Sequence, residues 1–422
     1  MALLSALALA LLASLAMALV PSRGPLHSIT QQPLHSTVAE TPTAVNSAWS
    51  SSGSHNVLLT GATGFLGSRV LQELLALNSG TTVACIVRCD NEEQGSDRLR
   101  AKLVEYKVWP LPGWERVQIL VGDTASPRLG LTDEKYAHIA STATSIVHAA
   151  ASINLRLPVD TLHQVNVQSL DAIIDLAGAG DRNTYIVYMS SIASVILGKV
   201  KFVAESLEDI GGEECAFPGY GQTKWRAEQY LKERVTQLGL TAVVVRTPFI
   251  ISDRVVQQMT VPTLLVQIAC VTKLLPAWVG GLPMYPIGPL SRGLALAAVD
   301  LSMPAGQVTV LHFAESNPKP YAVLQEQLAA NGLETRIVPL AEWSAALKAA
   351  AKVDAFAKQL VRGRSLIHVC SPMLLANLAT NKTSHWMKEH DGESFDEVEV
   401  WGETWDGFFQ ATLETAPEQY HP

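Results

Sequence analysis

Thr60-Gly-Ala-Thr-Gly-Phe-Leu-Gly67 spaces three glycines evenly between a short apolar run, Asn56-Val-Leu-Leu-Thr60, and a stretch from Gly67 to Leu77 whose apolar residues recur at helical spacing. A strand that passes into a helix through glycines brings backbone amides and the positive end of a helix dipole to one point. Side chains there would obstruct a ligand. Gly61, Gly64 and Gly67 therefore predict a phosphate cradle, with Thr60 and Thr63 in the same turn and Phe65 and Leu66 packed beneath it.

The alternation continues downstream. Thr82–Val87, Gln118–Val121, Ser145–His148, Tyr185–Met189 and Thr241–Val245 read as further strands, with helical stretches between most of them. Their apolar character is continuous rather than alternating, which implies burial on both faces and hence a parallel, doubly wound sheet of the Rossmann kind. After Ile251 the pattern changes: Pro262, Pro276, Pro283, Pro286 and Pro289 interrupt apolar segments, and helical patterns return at 321–331 and 342–352. The expected organisation is α/β, with a dinucleotide-binding domain over residues 56–255 and a smaller, mainly helical substrate lobe over 256–422.

In such a sheet ligands sit at the C-terminal strand ends. Arg88 follows the second strand, where an acidic residue would accept hydrogen bonds from a ribose 2'-hydroxyl; a cation there favours a 2'-phosphate, and Arg98 adds a second. The expected cofactor is NADPH. Asp90 and Asn91-Glu-Glu93 offer a competing acidic partner for the ribose. Asp123 after the third strand is placed near the adenine amino group, and Ala149 and Ala150, after His148, are small residues beside the cofactor.

Tyr220 and Lys224 stand four residues apart and so share one helix face. An ammonium beside a phenol favours its ionised form, so a group of pKa ~10 becomes usable in proton transfer near neutrality, and the same ammonium can hold a ribose. Both residues count as catalytic and as cofactor-binding. Ser190 and Ser191 end the fifth strand about thirty residues upstream. One hydroxyl polarises a substrate carbonyl and the other caps the following turn; Ser191 is preferred for the carbonyl. Asn166 either supports Lys224 through backbone or water, or caps its own helix. Order and separation of the glycine turn and the Tyr/Lys pair together predict a nicotinamide-dependent reductase.

The chain has 422 residues, 48% of them hydrophobic, and a net charge of -8 without any block of basic residues, which speaks against a nucleic-acid partner. Residues 1–20 carry no charged side chain and read as a signal peptide or membrane anchor. Residues 21–55, rich in Ser, Thr and Pro, read as a linker or transit segment. A bipartite presequence leading to a plastid is one expectation; association with the endoplasmic reticulum membrane through residues 1–20, facing the cytosol, is the other. Five cysteines without paired spacing argue against a disulfide framework, and Cys85 reads as a core residue.

At these motifs the chain resembles the extended short-chain dehydrogenase/reductases, and among them the thioester reductase and fatty acyl-CoA reductase (male sterility-type) branch. The likeness runs through Val57–Gly67, Ile86-Val-Arg88 with Arg98-Leu99, Val121-Gly-Asp123 with Leu129-Gly-Leu131, Ile146–Ala150 with Ile153-Asn154, and Gly219-Tyr-x-x-x-Lys-Trp225-x-x-Glu228, with a weaker likeness at Leu340-Ala-Glu-Trp343. It departs from the branch at Asp123-Thr124, at Leu157-Pro158-Val159 and at Arg246-Thr-Pro248, where Asp-Leu, Pro-Tyr and Arg-Pro-Gly are usual. The resemblance implies a Ser191, Tyr220, Lys224 triad and NADPH-dependent reduction of an acyl thioester to an aldehyde, and in some members on to an alcohol. The acyl group would come from an acyl-carrier protein or from coenzyme A, since no adenylation or carrier domain is expected in the chain. Competing readings are a ketone or aldehyde reductase of the dihydroflavonol type and a non-catalytic NADP-binding regulator.

Overall fold

A computed structural model describes residues 55–77, 80–155, 157–180, 184–197, 202–208, 211–255, 260–277, 282–315, 321–370, 377–378, 380–391 and 397–421. The expected leader segments, residues 1–20 and 21–55, lie outside them except for His55, which begins the first strand, and all the described residues belong to one compact unit. Among the described residues no helix is long and apolar enough to cross a membrane.

The chain alternates strands and helices: β1 (His55–Thr60), α1 (Phe65–Leu77), β2 (Thr81–Val87), α2 (Glu92–Glu105), β3 (Val117–Val121), α3 (Asp133–Thr142) and β4 (Ser145–His148). It continues through α4 (Val159–His163), a π-helical turn (Gln164–Gln168), α5 (Ser169–Gly178), β5 (Tyr185–Met189), α6 (Tyr220–Leu238) and β6 (Ala242–Arg246). The C-terminal part adds β7 (Phe249–Ile251), α7 (Val261–Thr272), β8 (Met284–Pro286), α8 (Ile287–Val299), β9 (Val308–His312), α9 (Tyr321–Ala330), α10 (Leu340–Ala350), α11 (Ala355–Cys370), α12 (Asn381–Asp391) and α13 (Glu397–Glu414).

Seven strands form one parallel sheet in the order β9-β6-β5-β4-β1-β2-β3. Every residue of β2, β4 and β6 is buried, as their unbroken apolar runs require. Alternate residues serve opposite faces. Val57, Leu59, Val83, Cys85, Val147, Val187 and Val243 join a core with α1, α2 and α8. Leu58, Ala84, Ile146, Ile186 and Val244 join the other, with α3, α5 and α6.

The Rossmann layer extends past the expected boundary at residue 255. β9 pairs with β6 from Val308↔Ala242 to His312↔Arg246, and α8 lies along α1 on the sheet. The apolar surface left at the β6 edge is covered by a strand that the proline-rich stretch separates in sequence. Beyond it, α7, α10 and α11 pack on one another around Leu264, Trp343 and Leu360, giving the helical C-terminal part. Strand order reverses between β1 and β4, so a crevice opens at the C-terminal ends of these two strands.

Candidate active site

A cleft of about 280 Å³ occupies this crevice. Its floor is the glycine turn. Gly61 has φ +78°, and a Cβ there would stand 2.8 Å from the Ala150 nitrogen and 2.9 Å from the Ala149 carbonyl carbon, so only glycine lets β1 and β4 end this close together. A Cβ on Gly67 would fall 2.1 Å from the Gly61 carbonyl oxygen, which locks the first turn of α1 against the loop. Gly64 closes that loop by donating to the Gly61 carbonyl at 2.8 Å. The first amides of a helix have no acceptor within it, and Phe65, Leu66 and Gly67, which supply them in α1, all line the cleft. An absent side chain above a set of amides fits a pyrophosphate.

The other predicted turn residues act behind this floor. Thr60 is buried; its Oγ1 lies 2.9 Å from His148 Nδ1 and accepts from the Ala150 amide at 3.2 Å, tying β1 to β4. Burial pushes His148 down to about 3, with the Lys224 charge acting in the same direction, so this imidazole stays neutral. Thr63 is half-buried and outside the lining, as is Ala150, whereas Ala149 lines the cleft. Arg88 is exposed just past β2, and Arg98 Nη1 donates to its carbonyl at 2.6 Å, so two cations stand together at that strand end. Asp90 exchanges hydrogen bonds with Gln94 at 2.7 and 3.2 Å, which engages the nearest competing carboxylate. Asp123, past the edge strand β3, accepts from the Ala125 amide at 3.0 Å and also lies outside the lining.

The opposite wall carries Ser191, Tyr220 and Lys224. Ser191 heads the tight turn Ile192–Ser194 after β5, and its hydroxyl accepts from the Ala193 amide at 3.2 Å and lies 3.4 Å from the Thr247 carbonyl. Ser190 also lines the cleft, but its hydroxyl is engaged by donating to Glu228. Tyr220 and Lys224 share the buried face of α6. Lys224 Nζ donates to the Met189 carbonyl at 2.7 Å and to Tyr188 Oη at 3.1 Å, and it lies 5.9 Å from the Tyr220 ring centroid.

This arrangement corrects the expected electrostatics. Burial pushes the Tyr220 phenol well above its ordinary range, opposed only by its hydrogen bond with Ser191. The ammonium expected to lower it is directed at Tyr188 and Met189 instead. Burial pulls Lys224 down to about 7, against the attraction of Glu228. Tyr220 is accordingly a protonated donor at neutral pH. Asn166 also differs from expectation: from the π-helical turn its side chain exchanges hydrogen bonds with the Ser152 backbone at 2.7 and 3.0 Å and donates to Thr223 at 3.0 Å, so it pins the loop after β4 to α6.

Residues 59–287 match the male sterility protein family, more than half of the chain. The chain belongs to that family. Its members are nicotinamide-dinucleotide-dependent reductases of the extended short-chain type, which agrees with the glycine turn and the Tyr/Lys helix. A linear gramicidin synthase polypeptide from Brevibacillus parabrevis is 32% identical over 302 residues, 70% of this chain and 6% of that protein. The large subunit of L-2-aminoadipate reductase from Penicillium chrysogenum is 30% identical over 214 residues, 47% of this chain and 15% of that protein. The chain thus spans a small part of the curated relatives it matches. In fold it is similar to the terminal R domain from the myxalamid PKS-NRPS biosynthetic pathway, with a TM-score of 0.74 over 86% of this chain and 92% of that one at 22% identity.

Sequence reasoning missed the far wall of the cleft, Thr247 to Ile250 with Thr260 and Val261, which β7 and the start of α7 supply with the residues just before each. It also missed that Tyr188 shares Lys224, and that Glu228 and Arg246 form a fully buried pair. A signal for that pair existed: Glu228 falls one helical turn after Lys224 on the same face, and Arg246 ends an otherwise apolar strand.

Proposed function

We propose that this protein uses NADPH to reduce an acyl thioester, presented on an acyl-carrier protein or as acyl-CoA, to the aldehyde and, where the aldehyde is retained, to the alcohol. The observation that carries this reading is the convergence of Ser191, Tyr220 and Lys224 with the glycine turn on one cleft.

When bound, the nicotinamide cofactor supplies the hydride. The amides of Phe65, Leu66 and Gly67 hold its pyrophosphate, and Arg88 with Arg98 favours the 2'-phosphate. Lys224 has used two of its three N–H groups on Tyr188 and Met189, and the third serves the ribose. Ser191 and Tyr220, already in hydrogen-bond contact, donate to the thioester carbonyl and stabilise the oxyanion that develops there. The C–S bond then breaks, and the protonated Tyr220 is placed to supply a proton. The balance is one thioester, one NADPH and one proton to one aldehyde, one thiol and one NADP⁺.

The test is nucleotide oxidation by the purified chain with carrier-bound thioesters, CoA thioesters, ketones and aldehydes, each with NADPH and NADH. Thioester-dependent oxidation of NADPH with aldehyde formed supports the reading. Reduction of ketones with thioesters inert would overturn it.

A further inference from the structure

We infer that Glu228 is a positioning residue, a clamp that holds the turn carrying Ser191 against the helix carrying Tyr220 and Lys224. The inference rests on the reductase reading of the cleft.

Three observations support it. The Glu228 carboxylate accepts from Ser190 Oγ and, at 2.9 Å, from Ser194 Oγ, the residues on either side of the Ser191 segment. Ser194 Oγ also lies 2.8 Å from the Ser191 carbonyl oxygen, so its single proton is shared between that carbonyl and Glu228, and the carboxylate reaches both flanks of Ser191. Glu228 continues the Tyr220, Lys224 series at i, i+4, i+8, which fixes the carboxylate on the same rigid face of α6. Turn and helix are thereby registered by a single group.

The charge is held in turn. Arg246 meets Glu228 in two contacts, Nε at 3.0 Å and Nη2 at 2.7 Å, and both side chains are fully buried. Arg246 Nη1 spends its remaining reach on the Ser206 carbonyl and His312 Nε2, both at 3.2 Å. A buried ion pair of this kind can often be exchanged for apolar residues without loss of stability. Stability alone therefore does not require the pair, whereas two serines that flank Ser191 and meet on one carboxylate give it a positioning role.

The test compares two double variants. Glu228→Leu with Arg246→Met removes both charges and the acceptor; Glu228→Gln with Arg246→Met removes both charges but keeps an amide oxygen that the serines can use. With a thioester substrate the first should fold, lose about ten- to a hundredfold in kcat, and keep KM and nucleotide affinity near wild type. The second should recover most of that loss. A pair that serves stability alone would leave both folded variants at wild-type kcat, and that result overturns the inference. Ser190→Ala with Ser194→Ala attacks the clamp from the other side with the ion pair intact, and must lose kcat similarly; unchanged kcat overturns the inference even if the first variant does not fold. If the wild type reduces no thioester, the functional reading fails instead. Hydrogen exchange over residues 189–197 then decides the clamp: faster exchange in the Leu/Met variant than in the Gln/Met variant supports it, and equal exchange overturns it.

Discussion

Lys224 is 2% exposed, and burial draws its pKa from an ordinary 10.5 to about 7. That interval of about 3.5 pH units, at about 1.4 kcal/mol each, means the fold resists the ammonium by about 5 kcal/mol. Replacing Lys224 with Met keeps the length of the side chain and removes the charge. Below pH about 7 the lysine is protonated whether the chain is folded or not, so the penalty is constant. Between about 7 and 10.5 only the unfolded chain binds the proton, so unfolding takes one up and wild-type stability rises with pH. Urea denaturation of both proteins from about pH 7 to about pH 9 should show the wild type gaining about 2 kcal/mol relative to Lys224→Met. The variant should be the more stable protein at pH 7 and should have lost reductase activity. Parallel stability curves over that range would refute the reasoning and place a fully paired, ordinary lysine at this site.

Three further outcomes follow from the same geometry. Tyr220→Phe removes the donor and keeps the ring, so single-turnover reduction should slow by about 10² to 10⁴ while nucleotide affinity, read by fluorescence, holds. Arg88→Ala should raise the NADPH Michaelis constant by about ten- to a hundredfold, the worth of one charge-assisted contact, and leave NADH unaffected; equal damage to both cofactors would remove Arg88 from the 2'-phosphate. Gly67→Ala drives a methyl to 2.1 Å from the Gly61 carbonyl oxygen, so the loop must open and nucleotide titration should show binding weakened by at least about tenfold.

Much of the sheet is legible in the sequence because parallel strands announce themselves as unbroken apolar runs. Ser145–His148 and Tyr185–Met189 have the same bounds in the apolar pattern and in the fold. The glycine turn and the Tyr/Lys pair are legible for a similar reason, since both are local spacings on single elements. Strand β9 is not, because nothing in Val308–His312 says that it returns to the β6 edge across a proline-rich stretch. The proton state of Tyr220 is not legible either. Sequence supplies the lysine one turn away, but burial sets the pKa, and burial comes from the packed fold rather than from any local spacing.

The most direct test of the central claim is a single turnover with NADPH deuterated at the transferring carbon and an acyl group on a carrier phosphopantetheine, with aldehyde and thiol measured by mass spectrometry. The account predicts deuterium at the aldehyde carbon, free thiol released in equal amount, and loss of both products in Tyr220→Phe. Bound NADPH with the thioester recovered intact and no label transferred would contradict it.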